Sequence, residues 1–171
     1  MDPVSQPCAP CLLIVWWSVT GATRQLAEAA ADAARTEPGI QVRLVRCDQA
    51  GADDLLQSAG YLFATPEHLA SMAGMMKDFF DRTYYPVLDR LNGRPYAAVV
   101  SAGSDGQGAA RQLARIALGW RLRPVAEPLV VVNGAQTPQA IAAPKQPDAA
   151  SIARAAELGA AMAAGLAMGI W

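Results

Sequence analysis

Three hydroxyl side chains surround a glycine just after the first long apolar run of the chain. Ser18, Thr20 and Thr23 flank Gly21, and an alanine-rich helical pattern begins at Ala22. The first amides of a helix lack intrahelical acceptors and lie at the positive end of its dipole, so such a loop can bind a phosphate group without a cation. The glycine would let the backbone approach the anion closely or adopt a positive φ. The same pattern also suits an ordinary Ser/Thr helix cap, and the residues alone leave both interpretations open.

The motifs of other phosphate-binding and nucleophilic sites are missing from the sequence. It contains neither G-x-x-x-x-G-K-[ST] nor a G-x-G-x-x-G after the first apolar run, and residues 103–106 do not form the G-x-S-x-G turn of hydrolases. A phosphoacceptor receiver domain would need aspartates after its first and third strands, where this chain has Trp17-Ser18 and Ala64-Thr65. These absences favour a different phosphate ligand for the loop around Gly21.

An alternation of strand and helix patterns must position this loop. We predict strands at residues 11–17, 41–46, 61–64, 96–100 and 129–132, helices near 22–35, 52–58, 72–83, 109–118 and 149–168, and a proline-containing loop at 133–147. The first strand is continuously apolar, which is typical of burial on both faces, whereas the alternation in the second indicates an edge strand. Right-handed crossovers then give an α/β fold of three layers, a doubly wound, five-stranded parallel sheet with strand order 2-1-3-4-5. We expect a single domain over residues 1–171, with 1–10 as a flexible N-terminal segment.

In such sheets, ligands bind beyond the carboxyl ends of the strands at the point where the strand order reverses. For the order 2-1-3-4-5 this point lies between strands one and three. The loops after the first, third and fourth strands should therefore form the site. The candidate binding residues are Ser18, Val19, Thr20, Gly21, Ala22 and Thr23 in the first loop, Thr65, Pro66, Glu67, His68 and Leu69 in the second, and Ser101, Ala102, Gly103, Ser104, Asp105 and Gly106 in the third.

These three segments, in this order, resemble those of the flavodoxin-like superfamily, particularly the NAD(P)H-dependent FMN and quinone reductases. Ser18–Thr23 is similar to the phosphate loop of that family. Ala64-Thr65-Pro66, followed by Ser71–Arg82, is similar to its P…S…G…K…DR helix. Val100–Gly103 is similar to the segment after the fourth strand. The resemblance extends from about residue 12 to residue 171.

The resemblance implies an FMN cofactor and hydride transfer from NAD(P)H, the co-substrate, to a quinone or similar small electron acceptor. It implies that residues 65–69 and 101–106 flank the isoalloxazine ring, with backbone amides bonding to its polar edge, while the flavin performs the hydride chemistry. No catalytic side chain is required. Flavin reductases of this type are commonly dimers or tetramers, so a homodimer or homotetramer is expected.

Three side chains could add to this site. The chain departs from the family pattern at Glu67-His68-Leu69, where aromatic or basic residues are usual. His68 is the only histidine, and it could donate a proton or hydrogen bond to the flavin or a quinone oxygen; a solvated loop histidine is the alternative. Asp105 could accept a hydrogen bond from the flavin's imide N–H, or it could cap the helix after Gly106. We assign Trp16 to the core and Trp17 to the border of the flavin site.

Charge and cysteine content limit the other classes of function. Lysine and arginine total 14 against 15 aspartate and glutamate residues, for a formal net charge of -1. This balance gives no overall positive field that would attract nucleic acid. The chain also lacks the acidic excess with which electron-carrier flavodoxins steer their redox partners. Cys8, Cys11 and Cys47 are too few for a disulfide framework or a zinc site, so we expect incidental cysteines, no metal and a cytoplasmic protein. The apolar stretch 158–171 is too short to span a bilayer.

Three functions follow from these observations. The leading one is an FMN-dependent oxidoreductase that takes hydride from NAD(P)H and passes it to a quinone or similar acceptor. The alternative is a non-enzymatic electron-transfer flavodoxin that works with a protein redox partner. The third is an interaction module that keeps the fold and has lost the cofactor.

Overall fold

The computed structural model describes residues 9–171. Cys8 and most of the predicted flexible segment 1–10 lie outside the described residues. The elements in chain order are β1 (Cys11–Trp16), α1 (Ala22–Ala34), β2 (Gln41–Arg46), α2 (Ala52–Leu56), β3 (Gly60–His68), β4 (Ser71–Met72), α3 (Gly74–Val87), β5 (Pro95–Ala102), α4 (Gln107–Gly119), β6 (Arg123–Pro124), β7 (Leu129–Val132), α5 (Pro138–Ala142) and α6 (Ala149–Ala167).

One parallel sheet runs through the described residues. Its path is β2-β1-β3-β5-β6, and β7 also pairs with β5. Each of these neighbouring pairs is parallel. The predicted doubly wound order 2-1-3-4-5 is confirmed, since β5 takes the fourth place. The fifth place is shared by β6 and β7, because residues 125–128 interrupt the last strand.

Strand β1 lies between β2 and β3, and its side chains alternate between two cores. Leu13 and Val15 belong to the core shared with α3 and α4. Leu12 and Ile14 belong to the core shared with α1 and α6. Because both faces of the strand are covered, all of these side chains are fully buried and the sequence is continuously apolar. Strand β2 is exposed at both ends and half-buried between them, as predicted for an edge strand.

The third strand is longer than predicted. Strand β3 continues past residue 64 to His68 and turns back into the short antiparallel strand β4. Leu69 and Ala70 connect the two strands with φ of 52° and 61°. Two consecutive positive φ angles are typical of a two-residue hairpin turn, which usually contains Asn-Gly or Asp-Gly. A Leu-Ala pair carries no such signal, so the hairpin is not predicted from the sequence.

The segment 133–147, predicted as a loop, contains the helix α5. Thr137 Oγ1 accepts a hydrogen bond from Ala140 N at 3.2 Å and so caps this helix. Pro138 takes the first helical position, where the missing N–H has no cost. The connection between β7 and α6 is therefore ordered by its own cap and can form a wall at the carboxyl edge of the sheet.

Helices α1 and α6 pack against each other through small side chains. Ala30 and Ala31 of α1 and Ala163 of α6 are all fully buried. A Cβ built on Gly159 of α6 would lie 2.0 Å from the carbonyl oxygen of Ala30. The two helix backbones are therefore in contact at Gly159, with no space for a side chain.

We expect Gly159→Ala to lower the free energy of unfolding by about 1–3 kcal/mol, because the added methyl group must push the two helices apart. Gly119→Ala is the matched control: Gly119 is also helical, has open space around its Cβ position, and its replacement should stabilise the protein by up to about 1 kcal/mol. Urea denaturation of both variants measures the difference. Equal stability of the two variants would contradict the contact at Gly159.

Candidate functional site

The loops after β1, β3 and β5 meet at the carboxyl edge of the sheet and enclose a cavity of about 370 Å³, the central cavity. It is lined by Val19, Thr20, Ala22, Pro66, Glu67, His68, Ser101, Ala102, Gly103, Asn133, Ala135, Ile141, Ala142 and Lys145. All three predicted loops contribute to this lining. The residues from 133 onward come from the segment between β7 and α6, which is not among the predicted site residues.

Two of the cavities that adjoin the central one contain further candidate residues. The arginine cavity, of about 460 Å³, is bordered by Ser18, Gly21 and the side chains of Arg24 and Arg46. The outer cavity, of about 530 Å³, lies between the β3–β4 hairpin and α5 and is bordered by residues that include Leu69 and Ser104. The remaining candidate residues line none of the three cavities. They are Thr23, Thr65, Asp105 and Gly106.

The backbone of the first loop presents N–H groups without partners. Gly21 has a φ of +97°, and its N–H donates to Ser18 Oγ at 3.1 Å. Among the described residues, no acceptor pairs with the loop N–H groups of Ser18, Val19, Thr20, Ala22 and Thr23. Ser18 thus satisfies one amide and leaves the start of α1 open, whereas backbone amides in proteins are nearly always paired with protein or solvent. This arrangement favours an anion site over a simple cap.

The hydroxyl groups of Thr23 and Thr65 serve to fix the loops. Thr23 is buried, and its Oγ1 lies 2.6 Å from Ser101 Oγ, which joins the first turn of α1 to the end of β5. Thr65 is fully buried, and its Oγ1 accepts from Ala73 N at 3.2 Å, at the start of α3. Both residues therefore hold loops in place and do not present their hydroxyls to a ligand in the central cavity.

The segment after α5 closes over the first loop. Lys145 N donates to Thr20 O at 2.7 Å, and Gln25 Nε2 donates to Lys145 O at 2.9 Å. The Lys145 ammonium donates to the carbonyl oxygens of Ala140, Ile141 and Ala143, at the end of α5. The ammonium thus stabilises the helix that forms the cavity wall. The signal that could have located this segment is topological, since the loop after β7 must also leave the sheet at its carboxyl edge.

Glu67 caps helix α4 from across the site. Its two carboxylate oxygens accept hydrogen bonds from Gly106 N at 2.8 Å and from Ala109 N at 2.9 Å. A carboxylate at a helix N-terminus is favoured by the helix dipole and by the free amides there. The hypothesis that Asp105 caps this helix is wrong, because Glu67 occupies that position through a contact made between distant parts of the chain.

Glu67 and two other contacts hold the β3–β4 hairpin against α4. The Gln112 side-chain oxygen accepts from Ser71 Oγ at 2.7 Å and from Met72 N at 2.9 Å. Gly108 permits the close approach, since a Cβ there would lie 2.1 Å from Ala70 O. The hairpin that borders the central and outer cavities is therefore fixed in position by α4.

Both tryptophans of the first loop pack against a core, but only one faces a cavity. Trp16 lines the arginine cavity, whereas Trp17 lines none of the three. The Arg46 guanidinium lies 5.3 Å from the centroid of the Trp17 ring and forms an ion pair with Asp48 at 2.7 Å. Arg46 thus covers the ring of Trp17, and that Trp17 borders the flavin site stays a prediction.

The other chemically active groups lie away from the cavities. Burial raises the pKa of the Cys47 thiol to about 11, so this sulfur stays protonated and is a poor nucleophile. Within residues 9–171, no three His, Cys, Asp or Glu side chains lie close enough together to hold a metal ion. Over the same residues, no helix combines the length and hydropathy needed to cross a bilayer.

We expect Glu67→Ala to lower the free energy of unfolding by about 0.5–2 kcal/mol, because two amides of α4 lose their acceptor. Amide hydrogen exchange at Gly106 and Ala109 should accelerate in the same variant. Glu157→Ala, on the exposed face of α6, is the control for loss of a surface carboxylate. Unchanged exchange at the two amides would contradict the capping role of Glu67.

Comparisons with known proteins agree with this geometry. Over 97 residues the chain is 31% identical to a flavodoxin of Aquifex aeolicus, covering 57% of this chain and 52% of that protein. Over 92 residues it is 33% identical to an NAD(P)H dehydrogenase (quinone) of Acidithiobacillus ferrooxidans, covering 42% of this chain and 46% of that one. The chain thus spans about half the length of these relatives. An archaeal flavodoxin structure superimposes with a TM-score of 0.74 over 91% of this chain and 98% of its own, at 17% identity, which supports the flavodoxin-like fold.

A family model identifies the family to which the chain belongs. The model of the NADPH-dependent FMN reductases matches residues 49–137, just over half of the sequence. The matched segment contains the β3–β4 hairpin, the loop after β5 and the cap on α4, while the first loop lies ahead of it. The chain therefore belongs to the NADPH-dependent FMN reductase family, as a flavin-binding protein with the flavodoxin-like fold.

Proposed function

We propose that this protein binds FMN and transfers hydride from NAD(P)H to a quinone or similar small acceptor. The observation that carries the proposal is the open start of α1. Its unpartnered N–H groups border the central cavity, where they can hold a phosphate group. At the start of α4, by contrast, the amides of Gly106 and Ala109 are bonded to Glu67. The anion position that we propose is therefore at Ser18–Thr23.

The residues present fit the cofactor. Gly21 holds the phosphate loop in a left-handed conformation that other residues resist, and this conformation exposes the neighbouring amides. The cavity walls on the ring side are formed by small or rigid residues, including Pro66, Ala102 and Gly103, which let the backbone come close to a flat ligand. A volume of about 370 Å³, extended by the two adjoining cavities, falls within the usual range of small-molecule sites.

In this proposal the backbone amides of residues 18–23 hold the phosphate, and residues 65–69 and 101–106 flank the ring. Bound FMN would supply the hydride chemistry. In the overall reaction, the dihydronicotinamide gives up two electrons and one proton as hydride, and the quinone gains these and one further proton to become a hydroquinone. His68 is exposed and lines both the central and outer cavities, so its imidazole can deliver that proton from solvent. The other hypothesis for Asp105, that it accepts a hydrogen bond from the imide N–H of the ring, stays a prediction, because Asp105 lines none of the three cavities.

The second candidate is an electron-transfer flavodoxin that works with a protein redox partner. The similarity to the Aquifex aeolicus flavodoxin favours it. The near-neutral charge of the chain favours the enzyme, because an electron carrier gains from a strongly charged surface that steers its partner.

The proposal also includes an assembly and a location. We propose a homodimer or homotetramer, because Tyr84, Tyr85 and Leu88 expose apolar surface near the end of α3. We propose the cytoplasm, where thiols stay reduced, because the described cysteines Cys11 and Cys47 are both free.

We expect FMN to raise the melting temperature, since a ligand at 100 times its Kd should add about 2.7 kcal/mol to the native state. Gly21→Ala should lower FMN affinity about tenfold, because the strain of a left-handed alanine, about 1–2 kcal/mol, favours a loop that no longer presents its amides. Gly21→Asp should abolish binding by adding a carboxylate beside the phosphate. Fluorescence titration with FMN gives the Kd of the wild type and of both variants.

Gly39→Ala is the matched control for backbone strain. Gly39 also has a positive φ, of +79°, and no atom lies within 4 Å of its Cβ position. This variant should bind FMN like the wild type. FMN affinity unchanged in Gly21→Asp would refute the phosphate loop, and a colourless protein whose melting temperature ignores FMN would support the module without a cofactor.

We expect the FMN-loaded protein to oxidise NADH or NADPH rapidly when a quinone is supplied, at a rate proportional to protein concentration. Absorbance at the nicotinamide band follows the reaction, with free FMN at the same concentration as the blank. A loaded protein that oxidises no NAD(P)H above that blank would favour the electron carrier over the reductase.

A further inference from the structure

The tip of the β3–β4 hairpin breaks two rules of local structure. Leu69 and Ala70 both hold a left-handed backbone, at φ of 52° and 61°, where Asn-Gly or Asp-Gly would be free of strain. Leu69 is also fully exposed, at 101% of its reference area, so it places an apolar side chain in water. Strained or unfavourably exposed residues of this kind occur mainly at functional sites, where the side chain contacts a ligand.

The outer cavity lies directly beside this tip. Leu69 borders it from the hairpin, and Ile141, which is 56% exposed, borders it from α5 on the opposite side. Glu67, His68 and Gly103 line both this cavity and the central one. A ligand in the outer cavity would therefore lie against the flavin proposed for the central cavity, with two aliphatic side chains at its edges.

The position of Leu69 is fixed by the rest of the fold. Glu67 bonds to two amides of α4, and Gln112 bonds to both Ser71 and Met72. Ala70 O lies where a Cβ of Gly108 would be. Contacts on both sides of the turn thus keep the leucine at the cavity edge.

The polar groups of the outer cavity suit an uncharged ligand. No lysine or arginine is among the described residues that line it, and its one carboxylate, Glu67, is already bonded to α4. A dinucleotide carries phosphate groups that need cations or free amides. His68, Ser104 and Gln136 can instead donate hydrogen bonds to carbonyl oxygens.

We propose that the outer cavity binds the electron acceptor, and that Leu69 and Ile141 select quinones with alkyl substituents by packing against the alkyl group. This inference rests on the proposed reductase function and names the acceptor class for the same site. In this proposal Leu69 acts in specificity, through its contact with the alkyl substituent of the acceptor.

The test compares two variants of the turn. Leu69→Asn removes the apolar side chain and supplies a residue that tolerates a left-handed backbone, so it should keep or raise the melting temperature. Ala70→Gly relieves strain at the adjacent position and keeps Leu69, which makes it the matched control. Ile141→Thr tests the opposite edge of the cavity independently.

The probes are tetramethyl-benzoquinone and the analogue in which one methyl is replaced by a long alkyl chain. Calorimetry with the oxidised, FMN-loaded protein, without NAD(P)H, measures their dissociation constants. We expect Leu69→Asn and Ile141→Thr each to raise the Kd of the alkyl quinone by about fivefold to tenfold, because each removes an apolar contact from the site. The Kd of the tetramethyl compound should change by less than about twofold in these two variants. Ala70→Gly should bind both quinones with the Kd of the wild type.

The alternative outcomes are distinct. Equal binding of the alkyl quinone by Leu69→Asn and Ala70→Gly would overturn the role of Leu69. A loaded wild-type protein that binds FMN but neither quinone would overturn the outer cavity as the acceptor site. A protein that binds no FMN would overturn the proposed function itself, and the acceptor assignment with it.

Discussion

The free backbone amides at helix N-termini are the constraint on which this structure depends. In a parallel sheet, the helix after each strand begins at the carboxyl edge, so α1, α3, α4 and α6 all direct their first N–H groups to the same side of the molecule. The chain satisfies some of these groups with its own side chains. Asp148 accepts from Ser151 N at the start of α6, a bond that lowers the pKa of its carboxyl group. Glu67 caps α4, whereas α1 begins beside the central cavity with no carboxylate in its first turn.

The cap on α4 explains the shape of the ligand site as well as its charge. Glu67 lies near the end of β3 and bonds to α4, so the hairpin that follows it is held beside α4. The hairpin then forms one wall of the central and outer cavities. The opposite wall is α5, which is held over the first loop by Lys145. Both walls are thus products of contacts that satisfy helix ends.

Local patterns predict the parts of this fold that depend on neighbours in sequence. The buried strand β1, the edge strand β2 and the loop around Gly21 follow from apolar runs, alternation and glycine placement, and the structure agrees with each. The cap on α4 could not be predicted, because Glu67 and Ala109 are far apart in the chain and no spacing rule connects them. The hairpin was missed because its turn residues are Leu-Ala. The wall α5 was missed because prolines at 138 and 144 indicated a loop, although the first one begins a helix.

The features that the sequence did not predict lie beside the cavities, and there is a physical reason for this. Local rules hold for the small residues where α1 meets α6 and for the aliphatic residues in the sheet. At the carboxyl edge the chain accepts a left-handed leucine and amides without partners. Each has a cost that the folded chain alone does not recover, and a bound ligand can recover it by accepting the amides or covering the leucine. The first loop borders the central cavity and the hairpin tip borders the outer one, and Glu67, His68 and Gly103 line both cavities.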